Sequence, residues 1–230
     1  MAPWPRRRVE NQRDDQWQRL AAELELESSA ELTERMREHL GLGSGAIAPV
    51  FSLSRPDQPH VILFDQARER SGPLGSVKSL RTGILLRSVK DHVPVSWRAA
   101  ARRNRVLESL EASRTGGLRV EMASDEAFDG AVSVYARDVE ATRSLLTASV
   151  RLALARLLVP GAAANDGREE IADTVGPPAR FPSIVVGTRN MLFLIEPHEP
   201  LAVARLLPLT ADMLTLHAAL TSAVKARGEP

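Results

Sequence analysis

The chain has 230 residues, of which 43% are hydrophobic and 26% are charged, as in an ordinary globular protein. It has no cysteine, which excludes disulfides, iron–sulfur clusters, thiolate zinc sites and a cysteine nucleophile. Its 30 Lys+Arg residues stand against 29 Asp+Glu residues, so the net charge of +1 gives no general argument for a nucleic-acid or membrane binder.

The chain begins with a basic segment and two helical patterns. Residues 1–12 are expected to form a disordered basic lead. Apolar residues then recur at i, i+3, i+4 and i+7, which predicts a first helix with the stripe Trp17, Leu20, Ala21 and Leu24. A second helix is predicted from Ser28 to a stop at Gly41. These two segments form the predicted N-terminal helical pair.

Short runs of β-branched and aromatic residues follow, and turn residues separate them. They predict strands at residues 47–53, 61–64, 77–86, 118–122, 131–135, 184–186 and 191–195. Because several of these runs are joined by short turns, we expect a mostly antiparallel sheet built by hairpins.

Three further segments have helical composition. Residues 97–110 predict an arginine-rich helix. Residues 138–158 predict one long helix with a broad apolar face. Residues 200–224 predict the last helix, which Pro208 should kink or split. Residues 160–182 lack any hydrophobic period and predict a long flexible loop, either functional or disordered.

These patterns predict a single α+β domain over residues 13–230, in which long apolar helices pack on the sheet. The expected core comprises Leu145, Leu146, Val150, Leu154, Leu157, Val185, Leu192, Leu194, Leu206 and Leu214. The most apolar stretch, residues 144–163, is interrupted by Arg151 and Arg156 and does not predict a membrane span. We therefore expect a soluble, cytoplasmic protein without a membrane partner.

The sequence offers little that is typical of an enzyme. Its five histidines are dispersed, without a metal-binding spacing, so we expect no metal and no cofactor. No nucleophile elbow of the Gly-x-Ser-x-Gly type occurs. Asp125, Glu126 and Asp129 are candidates for acid–base chemistry, although carboxylates near a strand are more often solvated turn residues. An enzyme is therefore disfavoured.

The most notable charged feature is a row of arginines in the predicted helix 97–110. Arg98, Arg102 and Arg105 would share one helical face, with Arg103 beside it. Such a row can contact a nucleic acid or an acidic protein partner, although charged runs are usually solvated. These four arginines are the candidate binding residues.

One block of sequence resembles a known family. Residues 126–138, from Glu126 to Asp138, contain a phenylalanine turn, a strand and an aspartate, and residues 141–147 add a Leu-Leu-Thr step. This block resembles an uncharacterised family of bacterial domains that often follow paired transmembrane helices. The family's closing hairpin and helix fit residues 184–195 and 200–220. The chain differs in having no transmembrane segment and in its longer 160–182 loop. The resemblance implies an α+β fold and no particular activity.

Three functional hypotheses follow. The first is a non-catalytic protein-interaction or oligomerisation module, expected to be a homo-oligomer, because extensive apolar helix surface accompanies few motifs. The second is a nucleic-acid-binding protein that uses the Arg98–Arg105 face. The third is an enzyme with an acidic site near Asp125–Asp129.

Overall fold

The structure is a computed structural model that describes residues 6–39, 47–56, 58–72, 75–88, 92–102, 117–159, 180–196 and 205–228. Its helices are α1 (Arg6–Leu24), α2 (Ala30–His39), α3 (Glu126–Ala131), α4 (Val139–Leu145), α5 (Ala148–Leu158) and α6 (Leu206–Ala226). Its strands are β1 (Ile47–Leu53), β2 (His60–Gly72), β3 (Gly75–Arg87), β4 (Trp97–Ala101), β5 (Leu118–Val120), β6 (Val132–Ala136), β7 (Arg180–Val186) and β8 (Asn190–Glu196).

The eight strands form one sheet in the order β1-β2-β3-β8-β7-β4-β6-β5. Every neighbouring pair is antiparallel. Strands β1, β2 and β3 form a meander, and β7 and β8 form a hairpin, because turn residues separate these runs in the sequence. The predicted α+β class and the antiparallel sheet are therefore confirmed.

The larger of the two core clusters lies on one face of the sheet. One residue from each strand forms a transverse row across all eight strands, and no member of this buried row is more than 4% exposed. The buried row comprises Phe51, Leu63, Ile84, Phe193, Ile184, Ala99, Val134 and Val120. Apolar side chains from α1, α5 and α6, including Trp17, Leu154 and Leu216, pack in the same cluster.

The predicted arginine-rich helix is wrong where the structure describes it. Residues Trp97–Ala101 form β4, which pairs with β6 on one side and with β7 on the other. The remainder of the predicted helix, residues 103–110, lies outside the described residues, as do residues 160–179 of the predicted loop. The last three residues of that predicted loop, 180–182, belong to β7 instead. Helix α1 begins at Arg6, within the segment 1–12 for which the sequence predicts disorder.

Two predicted helices differ in their details. The long helix 138–158 is divided in two: Asp138 caps α4 by accepting from Ala141 N at 2.9 Å, and Thr147 caps α5 by accepting from Val150 N. The predicted break at Pro208 does not occur. Helix α6 begins at Leu206 and continues to Ala226. Pro208 lies in its first turn, where the amide that proline lacks would have no helical partner.

The predicted core is correct in the helices and partly wrong in the last hairpin. Leu145, Leu146, Val150, Leu154, Leu157 and Leu206 are buried, and Leu214 packs against the core. Val185 is 39% exposed, and Leu192 and Leu194 are only partly buried, because the residues of β7 and β8 that face the core are their neighbours. The inward residues are Ile184, Val186, Met191, Phe193 and Ile195.

Candidate functional site

A second transverse row occupies the opposite face of the sheet, one residue along each strand from the buried row. Directly opposed residues of antiparallel strands project to the same face. This outer row comprises Ser52, Ile62, Leu85, Leu192, Val185, Arg98, Tyr135 and Arg119. The second to fifth members of this row are apolar, and its last three members are two arginines and the only tyrosine of the chain.

The apolar part of the outer row, hereafter the outer strip, consists of Ile62, Leu85, Leu192 and Val185. Helix α2 covers its first two residues, which are 4% and 2% exposed. Met36 of α2 is buried in the same cluster, and Leu32 packs against it. Leu192 is partly buried, and Val185 is exposed. The outer strip thus becomes more exposed with distance from α2.

A groove of about 580 Å³ separates α2 from the sheet at the covered end of the outer strip. Its volume is in the range of ordinary ligand sites. Its apolar lining comes from Leu32, Met36, Ile62 and Leu85, and its polar rim comes from Arg35, Glu38, His60 and Arg87. Arg35 also pairs with Glu31, one helical turn away on α2, at 2.5 Å.

His60 is the residue of this rim whose ordinary pKa lies closest to neutral pH. Burial lowers the pKa of His60 first, and the nearby positive charge of Arg87 lowers it further, whereas the negative charge of Glu27 opposes both effects. Burial and Arg87 prevail, so the pKa lies below its ordinary value. The imidazole is therefore mostly neutral at neutral pH.

The structure describes two of the four predicted binding arginines. Arg98 belongs to the outer row, directly opposite Val185 and Tyr135. Arg102 follows β4, and its Nη1 donates to the carbonyl oxygen of Asp129 at 2.9 Å. Arg103 and Arg105 lie outside the described residues, so a joint arginine surface stays a prediction.

The predicted acidic site has structural partners. Asp125 caps α3 by accepting from Phe128 N at 3.0 Å, and it pairs with Arg151 Nε at 2.7 Å. The Phe128 amide and then Arg151 lower the pKa of the Asp125 carboxyl. Asp129 Oδ2 accepts from Met122 N at 2.7 Å. These bonds connect the turn before α3 to α5.

Sequence reasoning missed a buried polar cluster beneath α1. Arg13 of α1 forms a bidentate ion pair with Asp65 of β2, with Nε–Oδ2 and Nη2–Oδ1 distances of 2.6 Å. Trp17 Nε1 and Thr82 Oγ1 also donate to this carboxylate, both at 2.8 Å. The sequence does contain a signal of this cluster. Asp65 directly follows the apolar run 61–64, and a charge beside buried residues needs a buried partner.

Other site types are not found in the described parts of the chain. No three His, Asp or Glu side chains lie together there in a way that would hold a metal ion. None of the helices is long and apolar enough to cross a membrane within those same ranges. Comparison with family models, with curated proteins and with solved structures gave no match to this chain.

Proposed function

We propose that this protein is a non-catalytic interaction module whose outer strip docks an acidic amphipathic segment of a partner protein. One observation carries the proposal. Every residue of the buried row is covered by the rest of the protein. The outer strip, in contrast, is covered by α2 at one end and exposed at Val185. Partly buried Leu192 and exposed Val185 thus extend a buried apolar cluster to the surface, and a contiguous apolar surface is where partner proteins dock.

The spacing of the outer strip suits a helical partner. Neighbouring strands lie about 4.8 Å apart, and one turn of an α-helix rises about 5.4 Å. A helix with an apolar residue every three or four positions can therefore place successive side chains over Leu192 and Val185, the two residues of the outer strip that are not buried. Helix α2 already packs on this face in such a way, through Leu32 and Met36. The partner segment would lie beside α2.

Charge at the two ends of the outer strip favours an acidic partner. Arg87 lines the rim beside Leu85, and Arg98 lies directly across from Val185. Glu38 is the acidic member of the groove lining. Acidic residues that flank the apolar positions of a partner would meet these guanidinium groups, which raises the association rate and selects against basic partners.

A designed peptide tests this proposal. A fluorescent helical peptide with leucine at i, i+3, i+4 and i+7 and glutamate elsewhere should bind at concentrations up to about 100 µM, as measured by anisotropy. Val185→Glu should weaken its binding about fivefold or more, the size of a hot-spot effect. Arg87→Gln should weaken binding and reduce its dependence on salt.

A control variant and a control peptide distinguish specific docking from non-specific hydrophobic binding. Leu152 of α5 is 56% exposed and does not belong to the outer strip, so Leu152→Glu should leave peptide affinity unchanged. A peptide with lysine in place of glutamate should bind at least about tenfold more weakly. Equal binding of both peptides, or equal effects of the two glutamate variants, would refute the proposal. Steeply salt-dependent binding of a DNA duplex, without peptide binding, would favour the nucleic-acid alternative instead.

A further inference from the structure

The groove between α2 and the sheet has a polar end beside an apolar surface. His60 of β2 and Arg87 of β3 lie directly opposite each other, and Ile62 and Leu85 form the next opposed pair on the same face. Residues two positions apart along a strand are separated by about 7 Å. The apolar surface of the groove therefore begins within one such step of the two polar side chains.

Helix α2 forms the other wall of the groove. Leu32, Arg35 and Met36 are spaced i, i+3 and i+4 on this helix, so they lie on one face of it, and all three line the groove. Met36 is buried, Leu32 is partly buried and Arg35 is exposed. Apolar residues thus line both walls, and a few polar groups lie at the rim. This composition is usual for a small-molecule site.

The polar end of the groove suits an anion with a single charge. Arg87 offers a planar fork of N–H donors that matches the two oxygens of a carboxylate, and His60 can donate a ring N–H beside it. Two positive charges directly opposed across strands repel each other, so an anion between these side chains relieves an unfavourable pair. Glu38 also lines the groove, and its negative charge repels a dianion more strongly than a monoanion.

From this arrangement we infer that the groove binds a small monocarboxylate with an apolar tail, such as a medium-chain fatty acid. Its carboxylate lies between His60 and Arg87, and its tail lies between α2 and the strands β2 and β3. The groove volume of about 580 Å³ is sufficient for such a ligand. The inference concerns a small molecule and does not depend on peptide docking at the outer strip.

Binding of the carboxylate is coupled to protonation of His60. In the free protein, burial and then Arg87 hold the pKa of this imidazole below its ordinary value. A carboxylate beside the ring favours the imidazolium and raises the pKa. Affinity should therefore increase as the pH is lowered from about 7.5 to about 5.5, a range in which the ligand stays mostly ionised. The other charged groups near the ring or along the groove are Glu27, Arg35 and Glu38.

Octanoate is the probe for this site. In an amide NMR titration at about pH 6, octanoate should shift the signals of Leu32, His60 and Arg87, with a dissociation constant below about 1 mM. Hexanoate should bind more weakly, by up to about fourfold for each methylene removed. Octanol, which has the same tail and no charge, should bind at least about tenfold more weakly than octanoate.

Variants identify the side chains that bind the carboxylate. Arg87→Gln should weaken octanoate binding at least about tenfold. The matched control is Arg156→Gln, at an exposed position of the helix α5 on the opposite face of the sheet, which should leave binding unchanged. In His60→Gln, the affinity should no longer depend on pH over this range. Val185→Glu should leave octanoate binding unchanged while it weakens peptide docking, so failures of the two proposals are distinguishable.

The wild-type titration keeps the test decisive if a variant does not fold, which circular dichroism melting curves check. Absence of octanoate binding by the wild type would overturn the inference. So would octanol binding as tight as that of octanoate, or octanoate binding that Arg87→Gln leaves intact. A pH dependence that persists in His60→Gln would equally contradict the placement of the carboxylate beside the imidazole.

Discussion

At the scale of single residues, the ion pair between Arg13 and Asp65 shows how one contact can orient a helix. Asp65 is 1% exposed and accepts hydrogen bonds from Arg13, Trp17 and Thr82. A buried pair contributes little net stability, because desolvating two charges offsets their attraction. It does penalise any placement of α1 in which the two charges do not meet, and so it fixes the position of the helix on β2 and β3.

Removing one charge of this pair should be strongly destabilising. Asp65→Asn leaves the guanidinium of Arg13 buried without a counter-charge, and we expect the free energy of unfolding to fall by about 3 kcal/mol or more. Urea unfolding monitored by tryptophan fluorescence measures this change. The matched control is Glu31→Gln, which removes the exposed ion pair with Arg35 and should cost no more than about 0.5 kcal/mol. Similar losses in both variants would contradict this account.

His60 gives a prediction about pH. Its pKa in the folded protein lies below 6.5, the ordinary value, because burial and Arg87 disfavour the charged imidazole. The unfolded chain therefore binds the proton more readily. Stability should fall as the pH is lowered from about 6.5 toward the folded pKa, and not fall further below it on this account.

NMR titration of the His60 ring protons measures this pKa directly. Arg87→Gln should raise it, and Glu27→Gln should lower it, because the two charges act in opposite directions. A midpoint at or above 6.5 in the wild type, or a shift of the same sign in both variants, would show that other groups control this imidazole.

At the scale of elements, the β2–β3 hairpin depends on a close approach between its strands. Gly83 lies directly opposite Phe64, and a Cβ at position 83 would lie 2.2 Å from Cζ of the phenyl ring. The ring therefore lies across the glycine. The hairpin keeps Phe64 fully buried only because β3 has no side chain at this position.

The close approach predicts coupling between the two residues. Gly83→Ala should destabilise the protein by about 1–3 kcal/mol through overpacking. Phe64→Leu alone should also be destabilising, but once the ring has been removed by Phe64→Leu, the additional cost of Gly83→Ala should be much smaller. Thermal and urea unfolding of the wild type, the two single variants and the double variant measure the coupling. Strictly additive losses would mean that strand conformation, rather than contact with the ring, requires glycine.

The hairpins could be predicted from the sequence, whereas β4 could not. Strands β1, β2, β7 and β8 each contain a short apolar run, and turn residues separate the two strands of each hairpin, which is a local signal of hairpin formation. The run of alanines in β4 favours a helix locally. In the structure Ala99 is fully buried between β6 and β7, where tertiary pairing outweighs that propensity. Small side chains suit this central position.

The candidate site was only partly predictable for a related reason. Residues 184–186 are all apolar, so their alternation does not show which of them faces the core. The sequence therefore predicts Val185 in the core, although it belongs to the outer strip. It also identifies Arg98 as a binding candidate, but on a helix rather than a strand. The alignment of Arg98 with Val185 and Tyr135 depends on strand order, which no local pattern encodes.

At the scale of the whole molecule, the outer strip lies in one half of the sheet. It crosses β2, β3, β8 and β7, whereas β4, β6 and β5 complete the strand order on the far side of β7. A partner segment docked on the outer strip would therefore lie in the half of the sheet that α2 already covers at one end.

The position of β8 has a consequence for how the chain is made. Near the end of the sequence, Asn190–Glu196 enters between β3 and β7, in the middle of the sheet. Until that segment leaves the ribosome, the β1–β2–β3 meander presents the unpaired edge of β3 to other nascent chains. A fold that is closed by a late central strand forms slowly and is exposed to misassembly before completion. Chaperone dependence during synthesis should therefore be greatest just before the last hairpin emerges, and should end once it pairs.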